Sequence, residues 1–298
     1  MSPTAPTNIL ETRDINARQV LLLQAILHSM SRRFSMLCPN FAESISCFPL
    51  PTAAACVIIA IDIFRETCHA LERCRAAGIK LIFATARPRR TVLHFMNDIP
   101  ADALVLHNGA VVYAGEKMLL QHGIASADKN AILCAISRDY PQATLSLEID
   151  DTLYANFDVS ALWNYTQAVR SDFSDLPDRP ADKILIGISS VEELPHYAQY
   201  LPEDLYIQSS EGKLGMIMNR AATKWNAIRC LAGHFGIPAA DMLAFGDDWN
   251  DIELLRNCGT GVAVANALEK ARAAANFVCG SNDEDGVAKW LEAHVLCN

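Results

Sequence analysis

The chain reads as an α/β protein: a doubly wound, mostly parallel sheet of the Rossmann-like kind with an inserted α+β cap domain. Three observations predict this. A continuous apolar run that closes on an acid, AACVIIAIDI, is followed by a helical pattern and a second apolar run, IKLIFATARP. Near the C-terminus MLAFGDDWNDIELL repeats the theme of buried strand, acidic turn and helix. Between them, from about residue 113 to 211, the pattern changes to helices alternating with short strands of antiparallel type.

Taken in order, residues 1–52 do not read like the rest. Ile15 to Leu37 carries an apolar stripe with Arg18, Arg32 and Arg33 and suits one amphipathic helix, followed by a Cys/Pro/Ser-rich connector through Pro51. Glu11 and Asp14 precede it and no small-residue cleavage signal follows, so it is expected to be an extension without an assigned role. The first strand, rich in Val and Ile, ends on Asp62. Phe64 to Ala77 then places Phe64, Cys68, Leu71 and Cys74 at helical spacing, with Gly78 where a C′ glycine belongs. The second strand ends at Thr85 and Pro88 opens the next helix. Strand, helix and strand in so short a span predict a right-handed βαβ unit. ALVLHNGAVVYAG gives a third strand, an Asn108-Gly109 turn and a fourth.

The middle stretch contributes KMLLQHGI, a helix over ADKNAILCAISRDY, strands at ATLSLEID, DTLYANFD and KILIGIS, and a helix over VEELPHYAQYL. KLGMIMNR is expected to return to the core, and the helix of AATKWNAIRCLAGHFG opens near Thr223-Lys224 and closes at Gly236. After MLAFGDD come GTGVAVAN, ALEKARAAA, FVCG and VAKWLEAHVL as strand, helix, strand and helix. The expected division is therefore a core of 53–112 and 212–298 with a cap of 113–211.

Composition narrows the function. A hydrophobic content of 51% with 20% charged residues describes a folded chain with a sizeable core. A net charge of −9 argues against a nucleic-acid surface, which needs a basic face to gain from counterion release. No apolar run reaches the roughly 18–20 residues that span a bilayer. The ten cysteines are scattered without a C-x-x-C pair, which suits structural thiols in a reducing cytoplasm. Asp247, Asp248 and Asp251 arrive within five residues just behind a buried strand, where an open α/β sheet places its ligand site. Such clustered carboxylates suit a hard cation such as Mg²⁺.

The blocks ATARP, HNGA, ATKWNAI, GDDWNDIELL, GVAVANA and DEDGVAKWLE, in this order around an inserted segment, resemble the Cof-type branch of the haloacid dehalogenase-like phosphatases. The resemblance covers about Ala55 to Ala293. It implies Mg²⁺-dependent hydrolysis of small phosphorylated metabolites, sugar phosphates among them, through an aspartyl-phosphate intermediate. Asp62 then matches the nucleophile and a metal ligand. Thr85, with Ala86 and Arg87, matches the loop that holds the phosphoryl oxygens. Lys224 matches the cation that offsets charge between nucleophile and phosphoryl group, and Asp247 matches a Mg²⁺ ligand. Asp251 matches a second ligand or the group orienting one, and Asn250 supports them. Asn108 falls on the substrate side.

One departure stands out. The family follows its nucleophile with a second Asp two positions on, then Gly-Thr and a flexible loop; here Phe64 occupies that position and the glycine-containing loop is absent. The missing carboxylate would protonate the leaving oxygen and later activate water, a contribution of about 10²–10⁴ in rate. Glu66, in the first helical turn, is the nearest substitute. Two function classes follow: a phosphatase, or a catalytically weakened homologue that binds phosphometabolites or regulates.

Overall fold

A computed structural model describes residues 56–59, 65–95, 101–161, 167–210 and 212–296. The amphipathic segment Ile15 to Leu37, Asp62 and Phe64 lie outside these residues.

The first sheet has eight strands: β1 (Cys56–Ile59), β2 (Lys80–Ala84), β3 (Ala103–Leu106), β4 (Val111–Ala114), β5 (Lys117–Gln121), β12 (Met242–Gly246), β13 (Thr260–Ala263) and β14 (Phe277–Val278). Their order is β14-β13-β12-β1-β2-β3-β4-β5, parallel from β14 to β3 and antiparallel beyond. Helix α1 (Arg65–Ala76) connects β1 to its parallel neighbour β2, the expected βαβ unit. It ends as the sequence predicts, with Gly78 left-handed at φ 86°.

Both faces of this sheet are covered, which explains the unbroken apolar runs. Leu81, Phe83, Leu243 and Phe245 point to one side, where they pack with Leu71 and Cys74 of α1 and with Val287 and Leu291 of the last helix, α8 (Gly286–His294). Ile82, Ala84, Met242 and Ala244 point to the other, against Ala227, Ile228 and Leu231 of α5 (Lys224–Phe235). The strict alternation along β2 and β12 is the two-residue period of a strand. Phe245 meets Trp290 edge to face at 5.5 Å and 85°, an arrangement worth about 0.5–1.5 kcal/mol beyond burial.

The second sheet has six strands: β6 (Leu145–Ile149), β7 (Thr152–Ala155), β8 (Val169–Arg170), β9 (Lys183–Gly187), β10 (Leu205–Ser210) and β11 (Leu214–Asn219). Their order is β10-β11-β9-β6-β7-β8. Helix α3 (Ser126–Asp139) supplies Ile132, Leu133 and Ile136 to its own separate core with Leu145, Leu147, Ile184 and Ile186. The remaining helices are α2 (Arg89–Phe95), α4 (Leu194–Ala198), α6 (Ile252–Asn257) and α7 (Glu269–Ala274).

Sheet membership departs from the expected division at both ends. Lys117–Gln121 pairs with β4 and so extends the first sheet, although the sequence places it in the insertion. Leu214–Asn219 pairs with β9 and β10 and so belongs to the second sheet, although the sequence places it in the core. Both strands stand next to crossings between the sheets, and a short apolar strand carries no mark of which sheet it joins. Val169–Arg170 and Leu205–Ser210 are strands that the sequence leaves unassigned.

Candidate active site

The loops at the carboxyl ends of β2, β3 and β12 come together with the start of α5. Helix α5 begins where expected: the Thr223 side chain accepts from the Asn226 N–H at 3.1 Å, capping the first turn. Lys224, the first helical residue, is 3% exposed, and its Nζ donates to Asp251 Oδ1 at 2.6 Å and to Asn250 Oδ1 at 3.3 Å. Asp251 is wholly buried; its second oxygen accepts from the backbone N–H groups of Asp247 and Asp248, each at 3.2 Å. Each oxygen of Asp251 therefore has a hydrogen-bond donor within the protein, which suits the orienting role and leaves Oδ1 a second lone pair for a metal.

Gly246, the last residue of β12, makes room for this arrangement. A Cβ there would lie 2.6 Å from the Cβ of Asp251, closer than side chains pack. Asp248 caps the following turn, accepting from the Trp249 N–H at 2.7 Å. Asp247 is half-buried at the strand end, and its carbonyl accepts from the Leu268 N–H at 2.9 Å.

On the neighbouring strands, Thr85 N–H donates to the Val105 carbonyl at 2.8 Å and Asn108 N–H donates to the Thr85 carbonyl at 3.0 Å. The Thr85 hydroxyl accepts from the Arg87 N–H at 3.2 Å. A hydroxyl that accepts in this way keeps its own proton for another acceptor. Ala86 and Arg87 complete this half-buried turn. Asn108 is 5% exposed; its Oδ1 accepts from Asn250 Nδ2 at 2.9 Å. Asn108 and Asn250, both expected to meet substrate, are joined by this bond, and Asn250 also meets Lys224.

The backbone that delivers Asn108 is unusual. His107, Asn108 and Gly109 have φ of 48°, 58° and 101°, three consecutive left-handed residues. Asn tolerates that region, His less so. At Gly109 a Cβ would lie 2.2 Å from the Thr223 carbonyl oxygen, so glycine is required for β3 to approach the start of α5.

A second polar cluster, which the sequence does not single out as a unit, lies between the two sheets. Arg90 grips Glu148 with both terminal nitrogens at 2.8 Å and also donates to the Asp151 carbonyl at 2.8 Å. Lys183 Nζ donates to the Ala86 carbonyl at 3.1 Å. Burial pushes the Lys183 pKa down, with Glu148 opposing. Asp182 accepts from Gln121 Nε2 at 3.0 Å and faces His107 Nε2 at 3.7 Å. Burial raises the Asp182 carboxyl to about 6 and holds His107 well below its ordinary value. The signal for this cluster was a lysine opening the apolar run KILIGIS, but its partners are scattered over about 100 residues.

Among the described residues no three His, Cys, Asp or Glu side chains converge as a metal site. The expected set of Asp62, Asp247 and Asp251 includes Asp62, which lies outside them. The donor chemistry fits Mg²⁺: Asp247 presents hard carboxylate oxygens at a strand end, and Ile59 of the adjacent strand pairs with Phe245, three residues before Asp62 in sequence.

Comparison with known proteins gives a consistent set. The family model described as haloacid dehalogenase-like hydrolase matches residues 61–291. The phosphatase YwpJ of Bacillus subtilis is 29% identical over 267 residues, covering 78% of this chain and 93% of its own. The 5-amino-6-(5-phospho-D-ribitylamino)uracil phosphatase YitU of the same organism is 24% identical over 253 residues, covering 78% and 91%. Among solved structures, the subclass IIB sugar phosphatase BT4131 superposes with a TM-score of 0.69 at 22% identity, covering 80% of this chain and 98% of that one.

Proposed function

Because the chain belongs to the haloacid dehalogenase-like hydrolases, we propose that it hydrolyses phosphate monoesters of small metabolites, with Asp62 as nucleophile and Mg²⁺ as cofactor. The buried Lys224–Asp251 pair beside Asp247 carries this reading. It fixes an ammonium where charge accumulates as a carboxylate meets a phosphoryl group. Asp247 and Asp62 would hold the metal, which when bound neutralises phosphoryl charge. Asp251 holds Lys224 and the Asp247 backbone in register; Thr85 offers its hydroxyl proton, and Ala86 and Arg87 their turn, to the phosphoryl oxygens. Attack of Asp62 on phosphorus would break the ester P–O bond and release the alcohol, which takes its proton from water, and a second water would then cleave the aspartyl phosphate to inorganic phosphate and restore Asp62. In this reading the second sheet is the cap that closes over the ester. The buried free thiols of Cys68, Cys74, Cys258 and Cys279 suit the cytoplasm.

Phe64 favours a second reading, in which phosphometabolites are bound with little turnover. Hydrolysis of p-nitrophenyl phosphate with and without Mg²⁺, followed by a panel of metabolite phosphates, separates the two. Hydrolysis that needs Mg²⁺ and disappears in Asp62→Asn supports the enzyme. Phosphate binding without turnover supports the second reading, and neither binding nor turnover removes both. Calorimetry tests the metal: equal Mg²⁺ affinity in wild type and Asp247→Ala would count against the assigned ligand.

A further inference from the structure

Lys183 is a buried cation that the proposed chemistry does not use. It opens β9 of the second sheet, is 8% exposed, and crosses to the first sheet to donate to one backbone carbonyl, that of Ala86. Ala86 sits in the middle of the Thr85–Arg87 turn. Its carbonyl belongs to the same planar peptide as the Arg87 N–H, and the two point in opposite directions across that plane. Anchoring the carbonyl therefore fixes the direction of the N–H, which is the one that donates to Thr85 Oγ1 at 3.2 Å. With that lone pair taken, the Thr85 hydroxyl keeps its proton for an anionic oxygen.

Glu148 stands across from Lys183 on β6, in the paired register Glu148↔Lys183, and attracts it electrostatically against the burial that pushes its pKa down. Glu148 is in turn held by both terminal nitrogens of Arg90 from the start of α2. The ammonium therefore lies near the Arg90–Glu148 pair and makes its hydrogen bond to the Ala86 carbonyl, within the turn that the phosphoryl group would meet.

We propose that Lys183 is a positioning residue for phosphoryl binding: it ties the second sheet to the Ala86–Arg87 peptide and through that peptide presents the Thr85 hydroxyl to the phosphoryl oxygens. The inference rests on the phosphatase reading above. Its consequence is that the turn is set for phosphate only when the second sheet is seated, so that closure and phosphoryl recognition are one event.

The test is calorimetric titration of inorganic phosphate in the presence of Mg²⁺, with melting temperatures measured in parallel. Lys183→Met is expected to weaken phosphate binding about tenfold, the equivalent of one hydrogen bond. Lys183→Gln, one bond shorter but still polar beside Glu148, is carried alongside in case the apolar variant does not fold, and is expected to show the same loss. Lys129→Met is the matched control. Lys129 is another buried lysine that donates only to carbonyls, those of Pro177 at 2.7 Å and Arg179 at 3.0 Å, remote from the turn in sequence. It should lower the melting temperature and leave phosphate affinity unchanged. In a Thr85→Val background the Lys183 substitution should have little further effect, because the route runs through that hydroxyl. Wild-type phosphate affinity retained in both Lys183 variants, or additive losses with Thr85→Val, would overturn the inference. Absence of phosphate binding by the wild type together with absence of p-nitrophenyl phosphate hydrolysis would overturn the phosphatase reading itself, and absence of phosphate binding alone would overturn this inference only.

Discussion

Removing the Asp251 carboxylate is the sharpest perturbation of the site's framework. In Asp251→Ala the ammonium of Lys224, 3% exposed, loses its partner at 2.6 Å and keeps only the Asn250 oxygen at 3.3 Å. The N–H groups of Asp247 and Asp248 lose their acceptor at the same time. Leaving a buried charge uncompensated costs about 3–5 kcal/mol. For a domain of this size each kcal/mol moves the midpoint by about 2–4 °C, so the melting temperature should fall by roughly 6–20 °C. The charge, rather than the lost packing, is the main cause, and a double substitution can show it. Lys224→Met with Asp251→Leu removes both charges and refills the space, and should cost less than half of Asp251→Ala alone. Urea unfolding followed by fluorescence gives each free energy. The reasoning fails if Asp251→Ala costs under 1 kcal/mol, or if the double variant is as unstable as the sum of the singles.

Three further outcomes are expected. Gly109→Ala should destabilise by about 3 kcal/mol or more, since a Cβ at φ 101° meets the Thr223 carbonyl at 2.2 Å; an unchanged urea midpoint would contradict this. Burial raises Asp182 from 3.8 to about 6, so the folded state holds its proton more tightly than the unfolded one; this group's contribution is full below pH 3.8 and is lost as pH rises towards 6 and beyond. Asp182→Asn should therefore gain stability relative to wild type by about 2 kcal/mol more at pH 7.5 than at pH 4.5, measured by paired urea titrations, and equal gains at both pH values would sink the assignment. Phe64→Asp alone should recover little hydrolysis, because the loop that would aim the new carboxylate is missing as well and geometry precedes pKa in proton transfer. Insertion of Asp-Gly-Thr with a flexible loop after Ile63 should raise the rate by 10²-fold or more; equal, strong activity of wild type and the restored variant would point to Glu66 instead.

What the sequence made legible was local. The runs CVII, KLIFA and MLAFG are apolar on both faces, so they announce central parallel strands, and Thr223, Gly236 and Gly78 mark helix ends by backbone chemistry alone. Asp247, Asp251, Lys224 and Thr85 could be singled out because each sits at such an end. The allocation of Lys117–Gln121 and Leu214–Asn219 between sheets was not, because pairing partners are set by tertiary contacts that a five- or six-residue apolar run does not encode. The bond from Asn250 to Asn108 was also hidden, since it depends on side chains 142 positions apart meeting in space. The ties of Arg90 to Glu148 and of Lys183 to Ala86 span 58 and 97 positions and are equally silent.

The place of β1 in the first sheet has a bearing on how the chain is born. Cys56–Ile59 lies between Lys80–Ala84 and Met242–Gly246, so one flank is made almost at once and the other only after a further stretch of about 160 residues. At ribosomal speeds of roughly 5–20 residues per second that interval is on the order of 10 to 30 s. During it, β1 presents an unpaired row of N–H and C=O groups, and the second sheet, Leu145 to Asn219, has emerged in full beforehand. The nascent protein should therefore fold its later-inserted piece first and its catalytic scaffold last, with the open flank of β1 as the surface that a chaperone must shield until the Gly246 turn leaves the ribosome.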